Sequence, residues 1–448
     1  MRLFGTNGIR GVANVDLTVD HVRDIGQAVA AYLDAGTEIA IGGDTRTSTP
    51  MFRAAVAGPL LEAGFDLWDL GMLPTPALQL NVKHRYDFGV MVTASHNPPQ
   101  FNGLKCIAGD GTELERWQEE RIEEHFARKT KPTVDWRDLG SLRSDHSAAK
   151  RYADAILAQV DPRAVKGKGL TVAIDCGNGA ASLVAPHLIE QLGCRVVALN
   201  SQPQGTFPGR DSEPSEENLT TLSAIVKETK AALGVAFDGD ADRAIFIDEK
   251  GRYLPGDKSF AIMARAVTEK KQGKVVTPVS SSRAVEEVVR KNKSEIVYTA
   301  VGAPLVARRM IEESAVFGGE ENGGMIFPEH QVCRDGCMSA AKMIELVARR
   351  GPLSKLADSL PKYFSHKTKL ACPEALKQPL LAKLKETAPS GADFTDGMKI
   401  VEGDAWALIR PSGTEDIFRI FAEARTPQKA KLVGEKWKAA TAKAMKRF

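Results

Sequence analysis

Eight short apolar runs, most of them rich in β-branched residues, punctuate the chain: GVMVTA (89–94), LTVAID (170–175), RVVALN (195–200), LGVAF (233–237), AIFID (244–248), KVVTPV (274–279), EIVYTA (295–300) and SAVFGG (314–319). Up to about Leu360 such runs alternate with glycine- or acid-bearing loops and helix-period segments. That alternation predicts an α/β fold, because a run buried on both faces needs helices to cover it. Thr18 to Ala35 illustrates the helical part, with Val19, Val22, Ile25, Val29 and Leu33 on one face, Gly36 as a stop, and the strand EIAIGG beyond. Ligands of α/β sheets bind at the carboxyl ends of strands, so the loops that follow these runs are where chemistry is expected.

At 448 residues the chain is too long for one ordinary core, and three or four domains are expected. Composition shifts near SLRSDHSAAK, DEKGRYLPGD and PKYFSHK divide it into residues 1–148, 149–250, 251–363 and 364–448. The last segment reads differently: a helix through PEALKQPLLAKLKETA, strands around GMKIVEGDAWALIR and IFRIFAEAR, then a final helix, which predicts a small α+β domain with an antiparallel sheet.

Lysine and arginine number 60 against 57 aspartates and glutamates, so no basic stripe points to nucleic acid. The basic end EKWKAATAKAMKRF reads as a helix with a solvated cationic face. The opening MRLFGTNGIRG has no signal-peptide pattern, and no stretch reaches the roughly 18 apolar residues of a membrane span, so a cytoplasmic protein without membrane partners is expected. Cys106, Cys176, Cys194, Cys333, Cys337 and Cys372 read as reduced core residues, and CRDGC has the wrong spacing for zinc.

The most informative loop is FDGDADR, Phe237 to Arg243, which sets Asp238, Asp240 and Asp242 close together after a buried strand. Such carboxylates repel one another unless a hard cation sits among their oxygens, which makes a Mg²⁺ or Ca²⁺ site the first hypothesis. An EF-hand is excluded, because Arg243 stands where that loop requires glycine and the flanks read as strands. RPSGTED, Arg410 to Asp416, combines an arginine fork, hydroxyls and a glycine, and suits either a phosphate monoester or an ordinary polar hairpin turn. GGEENGG offers Glu320, Glu321 and Asn322 on a permissive loop, fit for sugar hydroxyls or merely polar. In GTNGIRG, Arg10 is placed to reach an anion or to brace a turn.

TASHNP, residues 93–98, leaves an apolar strand through Ser95 and His96. A serine hydrolase would place its serine on a G-x-S-x-G elbow with a distant histidine, whereas here Ser95 and His96 are adjacent and no such elbow surrounds Ser95. Phosphoryl transfer through Ser95 is the better scheme, since a covalent carrier divides one difficult transfer into two. Downstream, Lys105 in FNGLKC becomes an acid-base candidate if burial among other cations lowers its pKa.

TASHNP, DGDADR, GEENGG and RPSGTE occur together and in order, and the chain thereby resembles the α-D-phosphohexomutase superfamily along its whole length. The resemblance implies three related α/β domains with mixed sheets and a C-terminal α+β domain related to the TATA-binding-protein fold, around a central cleft. It implies that Ser95 is a phosphoserine binding Mg²⁺ with Asp238, Asp240 and Asp242. It further implies that Arg243 lies beside the reacting phosphoryl group, that Lys105 is the acid-base group assisted by Arg10 and His96, and that Glu320 and Asn322 face sugar hydroxyls. Arg410, Ser412, Gly413 and Thr414 would hold the phosphate that does not move. The implied reaction interconverts a hexose 6-phosphate and a hexose 1-phosphate through a sugar bisphosphate, which also serves as primer, in a monomer or homodimer.

The opening RLFGTNGIRGVAN is similar to phosphoglucosamine mutases, with Asn7 in place of their usual aspartate. The sugar loop departs from the bacterial Glu-x-Ser-Gly-His pattern, with Asn322, Gly323 and Gly324 after Glu320-Glu321, and resembles archaeal members. Ala300 stands directly before Val301-Gly302, near which many relatives carry lysine or threonine. Glucosamine phosphate is the expected substrate, with a bifunctional phosphomannomutase/phosphoglucomutase as the alternative. Two other classes compete: a Mg²⁺-dependent phosphatase of the haloacid dehalogenase type with Asp238 as nucleophile, and a non-catalytic sugar-phosphate or metal binder.

Overall fold

The computed structural model describes residues 3–5, 7–412, 416–446 and 448. Its contacts divide the chain into two compact units, one of Met1–Ser259 with Asn322–Asp358 and the other of Phe260–Glu321 with Ser359–Phe448.

In the first unit, β1 (Ile9–Val12), β2 (Ile39–Gly43), β3 (Leu67–Met72), β4 (Phe88–Val92), β5 (Phe101–Ala108) and β6 (Leu142–Ser144) form one sheet in the order β1-β5-β4-β2-β3-β6. Strands β6, β3, β2 and β4 run parallel, while β5 runs antiparallel to β4 and to β1. A second sheet of β7 (Thr171–Asp175), β8 (Arg195–Leu199), β9 (Leu233–Phe237), β10 (Ala244–Asp248) and β11 (Tyr253–Leu254) has the order β11-β10-β9-β7-β8. It repeats the plan of the first, parallel through β8, β7 and β9 and antiparallel at β10 and β11.

Every residue of β2, β4, β7, β9 and β10 is buried, as expected of strands covered on both faces. The first helix, Val19–Tyr32, supplies Val22, Ile25 and Val29 to the core beneath β2 and β4, each burial contributing about 1.5–3 kcal/mol. Thr18 caps it by accepting from the His21 N–H. The helix stops three residues short of the expected Ala35, because Leu33 has already turned extended while its N–H still reaches Val29.

In the second unit β12 (Lys274–Pro278) pairs in parallel with β13 (Glu295–Thr299) and β14 (Phe317–Gly319). The chain then returns to the first unit, where β15 (Met325–Phe327) and β16 (Gln331–Arg334) form an antiparallel pair before the helix Gly336–Arg350. The C-terminal sheet is antiparallel throughout, β17 (Phe364–Ala371), β18 (Met398–Glu402), β19 (Ala405–Pro411) and β20 (Ile417–Ala424) in the order β17-β20-β19-β18. The helices Glu374–Glu386 and Pro427–Met445 set Leu380, Leu384, Ala430 and Val433 in one core with Ile400, Ile409 and Ile420 of the sheet. The basic final helix is partly tied down, Lys436 pairing with Glu402 at 2.8 Å and Lys429 with Asp404. All six cysteines are buried and free, and no described helix is long and apolar enough to cross a membrane.

Candidate active site

Ser95 lies on the connection from β4 to its antiparallel neighbour β5, and Asp238 to Arg243 lie on the matching connection from β9 to β10. In the chain, the connection from β14 to β15 occupies the same place in the third α/β segment and carries Glu320 to Gly324. The first two loops therefore occupy one recurring turn, the exit from a parallel strand into an antiparallel neighbour, where strand-end dipoles and unpaired amides favour ligands.

The Ser95 backbone takes the left-handed conformation, φ +51°, which a serine adopts only when its surroundings enforce it. Its amide donates to Thr93 Oγ1 at 2.9 Å, and its hydroxyl donates to Asp238 Oδ2 at 2.9 Å across 143 residues of chain. Oxygens of Asp238, Asp240 and Asp242, all buried, lie within 4.8 Å of one another. Asp240 Oδ2 accepts from Thr75 Oγ1 at 2.6 Å and from Lys105 Nζ at 2.8 Å. Asp242 Oδ2 accepts from Lys105 Nζ at 3.2 Å and Arg334 Nη2 at 2.5 Å, while Oδ1 of Asp240 and Oδ1 of Asp242 accept no hydrogen bond. Burial, then Asp242 and Asp240, push the Asp238 carboxyl well above its ordinary pKa. Asp242 is instead depressed, because Arg334, Lys105 and Arg243 outweigh the cost of its burial. Buried oxygens left without donors, in an all-carboxylate set, fit a hard divalent cation.

Lys105 sits on β5 opposite Met91 and is fully buried. The expectation that cations would lower its pKa is corrected: burial lowers it, but Asp240, Asp242 and Glu113, the last at 4.0 Å, outweigh that and raise it. Its neighbours are carboxylates, so it is an ammonium poised to donate a proton. His96 Nδ1 stands 3.4 Å from Ser95 Oγ. Its pKa is lowered to about 2 by Arg243, burial and Arg10, so the imidazole is neutral. Arg10 donates to Asn97 Oδ1 at 2.7 Å, and burial lowers its pKa despite Asp240. Arg243 spans Glu213 at 3.3 Å and Asp242 at 3.7 Å, with its own amide on Asp238 Oδ1 at 3.2 Å. Ser95, His96, Lys105, Arg10, Arg243 and the three aspartates thus come together within one unit.

Asn322 lies in the same unit, its Oδ1 accepting the Gly324 amide at 3.1 Å. Glu320 is buried in the other unit at the end of β14, beside Glu321, which accepts from Ser280 Oγ at 3.1 Å. Arg410, near the end of β19, and Ser412, just past it, also belong to that unit. Arg410 Nε lies 3.1 Å from Asp396 Oδ2, and the Ser412 carbonyl accepts from the buried Lys377 at 2.9 Å. Gly413 and Thr414 lie outside the described residues.

Thr75, Glu113, Glu213, Arg334, Lys377 and Asp396 escaped the sequence reading. Arg334 lies inside CRDGC, where cysteine spacing alone gives it no role. The stem of Arg334 fills the space a side chain at 324 would need, a Cβ there lying 2.2 Å from its Cδ. Thr75 heads the helix Thr75–Arg85 and holds the Asp240 backbone carbonyl as well, its N–H donating at 2.9 Å.

The chain matches four domain families in succession: phosphoglucomutase/phosphomannomutase alpha/beta/alpha domain I over residues 1–133, domain II over 150–251, domain III over 255–364, and the C-terminal domain over 368–438. It is 43% identical over 440 residues to a phosphoglucomutase/phosphomannomutase from Thermococcus kodakarensis, covering 96% of each chain. It is 40% identical over 434 residues to a phosphoglucosamine/phosphogalactosamine mutase from Sulfurisphaera tokodaii, covering 95% of each. Its fold is similar to the crystal structure of a phosphoglucomutase/phosphomannomutase family protein from Burkholderia thailandensis, with a TM-score of 0.89 at 28% identity over 99% of this chain and 97% of that one.

Proposed function

The chain belongs to the phosphoglucomutase/phosphomannomutase family, a group of phosphohexomutases, and on that premise we propose that it interconverts hexose 6-phosphate and hexose 1-phosphate through phosphorylated Ser95. The observation that carries the proposal is the 2.9 Å hydrogen bond from Ser95 Oγ to Asp238 inside the buried aspartate cluster. A phosphoryl group carried on that serine would have its oxygens next to the aspartate cluster, and Oγ lies beside a neutral imidazole.

Asp238, Asp240 and Asp242 would hold Mg²⁺ together with the Ser95 phosphate, and the ion would neutralise phosphoryl charge during transfer. Lys105 donates or takes the proton of the sugar hydroxyl, with Arg10 and His96 assisting. Arg243 lies beside the moving phosphoryl group, and Glu213 is the partner it exchanges for phosphate oxygens. Glu320 and Asn322 read the sugar hydroxyls. Arg410, Ser412, Gly413 and Thr414 hold the stationary phosphate, Arg410 turning from Asp396 to do so. A sugar bisphosphate is the primer and the intermediate that reorients between the two half-reactions, and the domains divide near residues 148, 250 and 363.

Glucosamine phosphate is the proposed sugar, supported by the phosphoglucosamine mutase-like opening and by the kinship to the Sulfurisphaera enzyme. The Thermococcus relative favours phosphomannomutase/phosphoglucomutase activity as the second reading. Parallel kinetics with glucosamine 6-phosphate, mannose 1-phosphate and glucose 1-phosphate, each primed with bisphosphate, rank the two. Peptide mapping of the phosphorylated protein tests the nucleophile: phosphate on Ser95 is expected, and an aspartyl phosphate on Asp238 with bare Ser95 would sink the scheme.

A further inference from the structure

Arg46 is wholly buried in the segment DTR that follows β2, far in sequence from TASHNP. Its guanidinium is spent almost entirely on the nucleophile loop. Nη2 donates to the Ser95 carbonyl at 2.8 Å and the Asn97 carbonyl at 2.6 Å, and Nη1 to the Pro98 carbonyl at 2.6 Å and the Phe101 carbonyl at 2.8 Å. Nε donates to Asp44 Oδ2 at 3.0 Å. Asp44 is itself immobilised, its Oδ2 accepting from Thr93 Oγ1 at 2.7 Å and its Oδ1 from Thr49 Oγ1 and the Arg46 amide, both at 3.0 Å.

The second domain closes over this fork. Ser212 Oγ donates to the same Ser95 carbonyl at 3.1 Å, and the Phe207 ring lies 5.1 Å from the guanidinium carbon. Gly205 presses against the backbone on either side of Arg46 so closely that a Cβ would stand 2.3 Å from the Thr45 oxygen. Four carbonyls within seven residues of an irregular turn need donors that no strand ladder supplies. A planar fork of five N–H groups meets them together, which the single ammonium of lysine cannot do.

We propose that Arg46 is the positioning residue of the nucleophile: its fork, clamped by the 204–212 loop, locks Ser95 in the left-handed conformation that aims Oγ at Asp238. The inference rests on the reading of Ser95 as phosphoryl carrier. A merely structural arginine would cost stability when replaced and nothing else. A positioning one costs turnover while substrate affinity holds, because Arg46 is buried and its guanidinium N–H groups are already given to protein acceptors.

The test compares the full-length protein with Arg46→Lys and Ser212→Ala. Arg46→Lys is expected to keep KM within about threefold and lose about 100-fold in kcat, the scale of a 1 Å misplacement. Hydrogen exchange should quicken at residues 95–101 while the C-terminal sheet is unchanged. Ser212→Ala removes one of two donors to the Ser95 carbonyl and is expected to lose about fivefold in kcat, the worth of one hydrogen bond. Wild-type kcat in a folded Arg46→Lys protein, or a raised KM with kcat intact, overturns the proposal. If Arg46→Lys does not fold, Ser212→Ala decides alone, and unchanged kcat with unchanged exchange at 95–101 overturns it. Absence of turnover in the wild type with every sugar phosphate would refute the mutase reading, and the exchange measurement would still judge Arg46.

Discussion

The aspartate loop at 238–243 and the C-terminal turn at 410–412 are both short, charged and placed at the end of a strand, yet they are held in opposite ways. The aspartate loop is gripped from outside: Thr75, Lys105 and Arg334 reach it from 165, 135 and 92 residues away. Two of its oxygens are left over with no donor at all. The turn at Arg410 is held by a neighbour on the same small domain, Asp396, and by Lys377 from the helix before it. One region gathers buried carboxylates, two of whose oxygens accept no hydrogen bond, and the other pairs its arginine with a carboxylate. The first is suited to a cation, and the second, to take a phosphate as proposed, would give up an internal partner.

The largest effect should come from the centre of the first region. Ser95→Ala is expected to lower kcat on the order of 10⁶-fold, the scale seen when a covalent nucleophile is removed, with KM little changed. Retention of near-normal turnover in steady-state assays breaks the comparison at once. Asp240→Asn should weaken Mg²⁺ binding by about 100-fold, the upper end of what outer-shell changes cost, since it alters a ligand itself. Calorimetric titration of the unphosphorylated protein with Mg²⁺ reads this without any turnover, and an unchanged affinity would remove Asp240 from the metal set.

The second region should answer in KM rather than kcat. Arg410→Met is expected to raise KM by about 10–100-fold, the loss of charge-assisted hydrogen bonds, with kcat within a few-fold. Asp396→Asn sharpens the point: freed from its internal carboxylate, Arg410 should bind sugar phosphate a few-fold more tightly, and initial-rate kinetics at low substrate would show it.

The smallest effect concerns stability. Lys399 on β18 is buried between the rings of Trp406 at 4.5 Å and Tyr298 at 5.0 Å, and burial lowers its pKa to about 8 despite Glu423 and Asp393. Between pH 8 and 10.5 the folded protein has already lost this proton while the unfolded chain keeps it, so the contribution of Lys399 to stability rises with pH. Relative to Lys399→Met, the wild type should therefore gain about 1–3 kcal/mol between pH 7 and 10, measured by denaturant unfolding at both values. A constant difference would show that Lys399 titrates normally.

The α/β architecture was legible because its central strands are continuous apolar runs, whereas β17, FSHKTKLA, alternates half-buried and exposed residues and gave no such signal. The aspartate cluster was legible because three carboxylates in five residues repel wherever the fold places them. Arg334 and Thr75 were not, since an arginine after a strand and a threonine at a helix start have innocent uses everywhere. Lys105 was found, but its environment was misjudged: its neighbours in sequence are apolar, and its neighbours in space are carboxylates.

The sequence by itself determined which loops are candidates for the chemistry, because residue type and local spacing decide what a loop can bind. Only the tertiary structure decided the state in which those loops are held. The left-handed Ser95, the raised Asp238 and the depressed Asp242 depend on burial and on partners such as Arg46, Arg334 and Lys105, which lie 49, 92 and 137 residues from the groups they hold. Electrostatics in a buried site depend on distance through space, and distance along the chain does not record it.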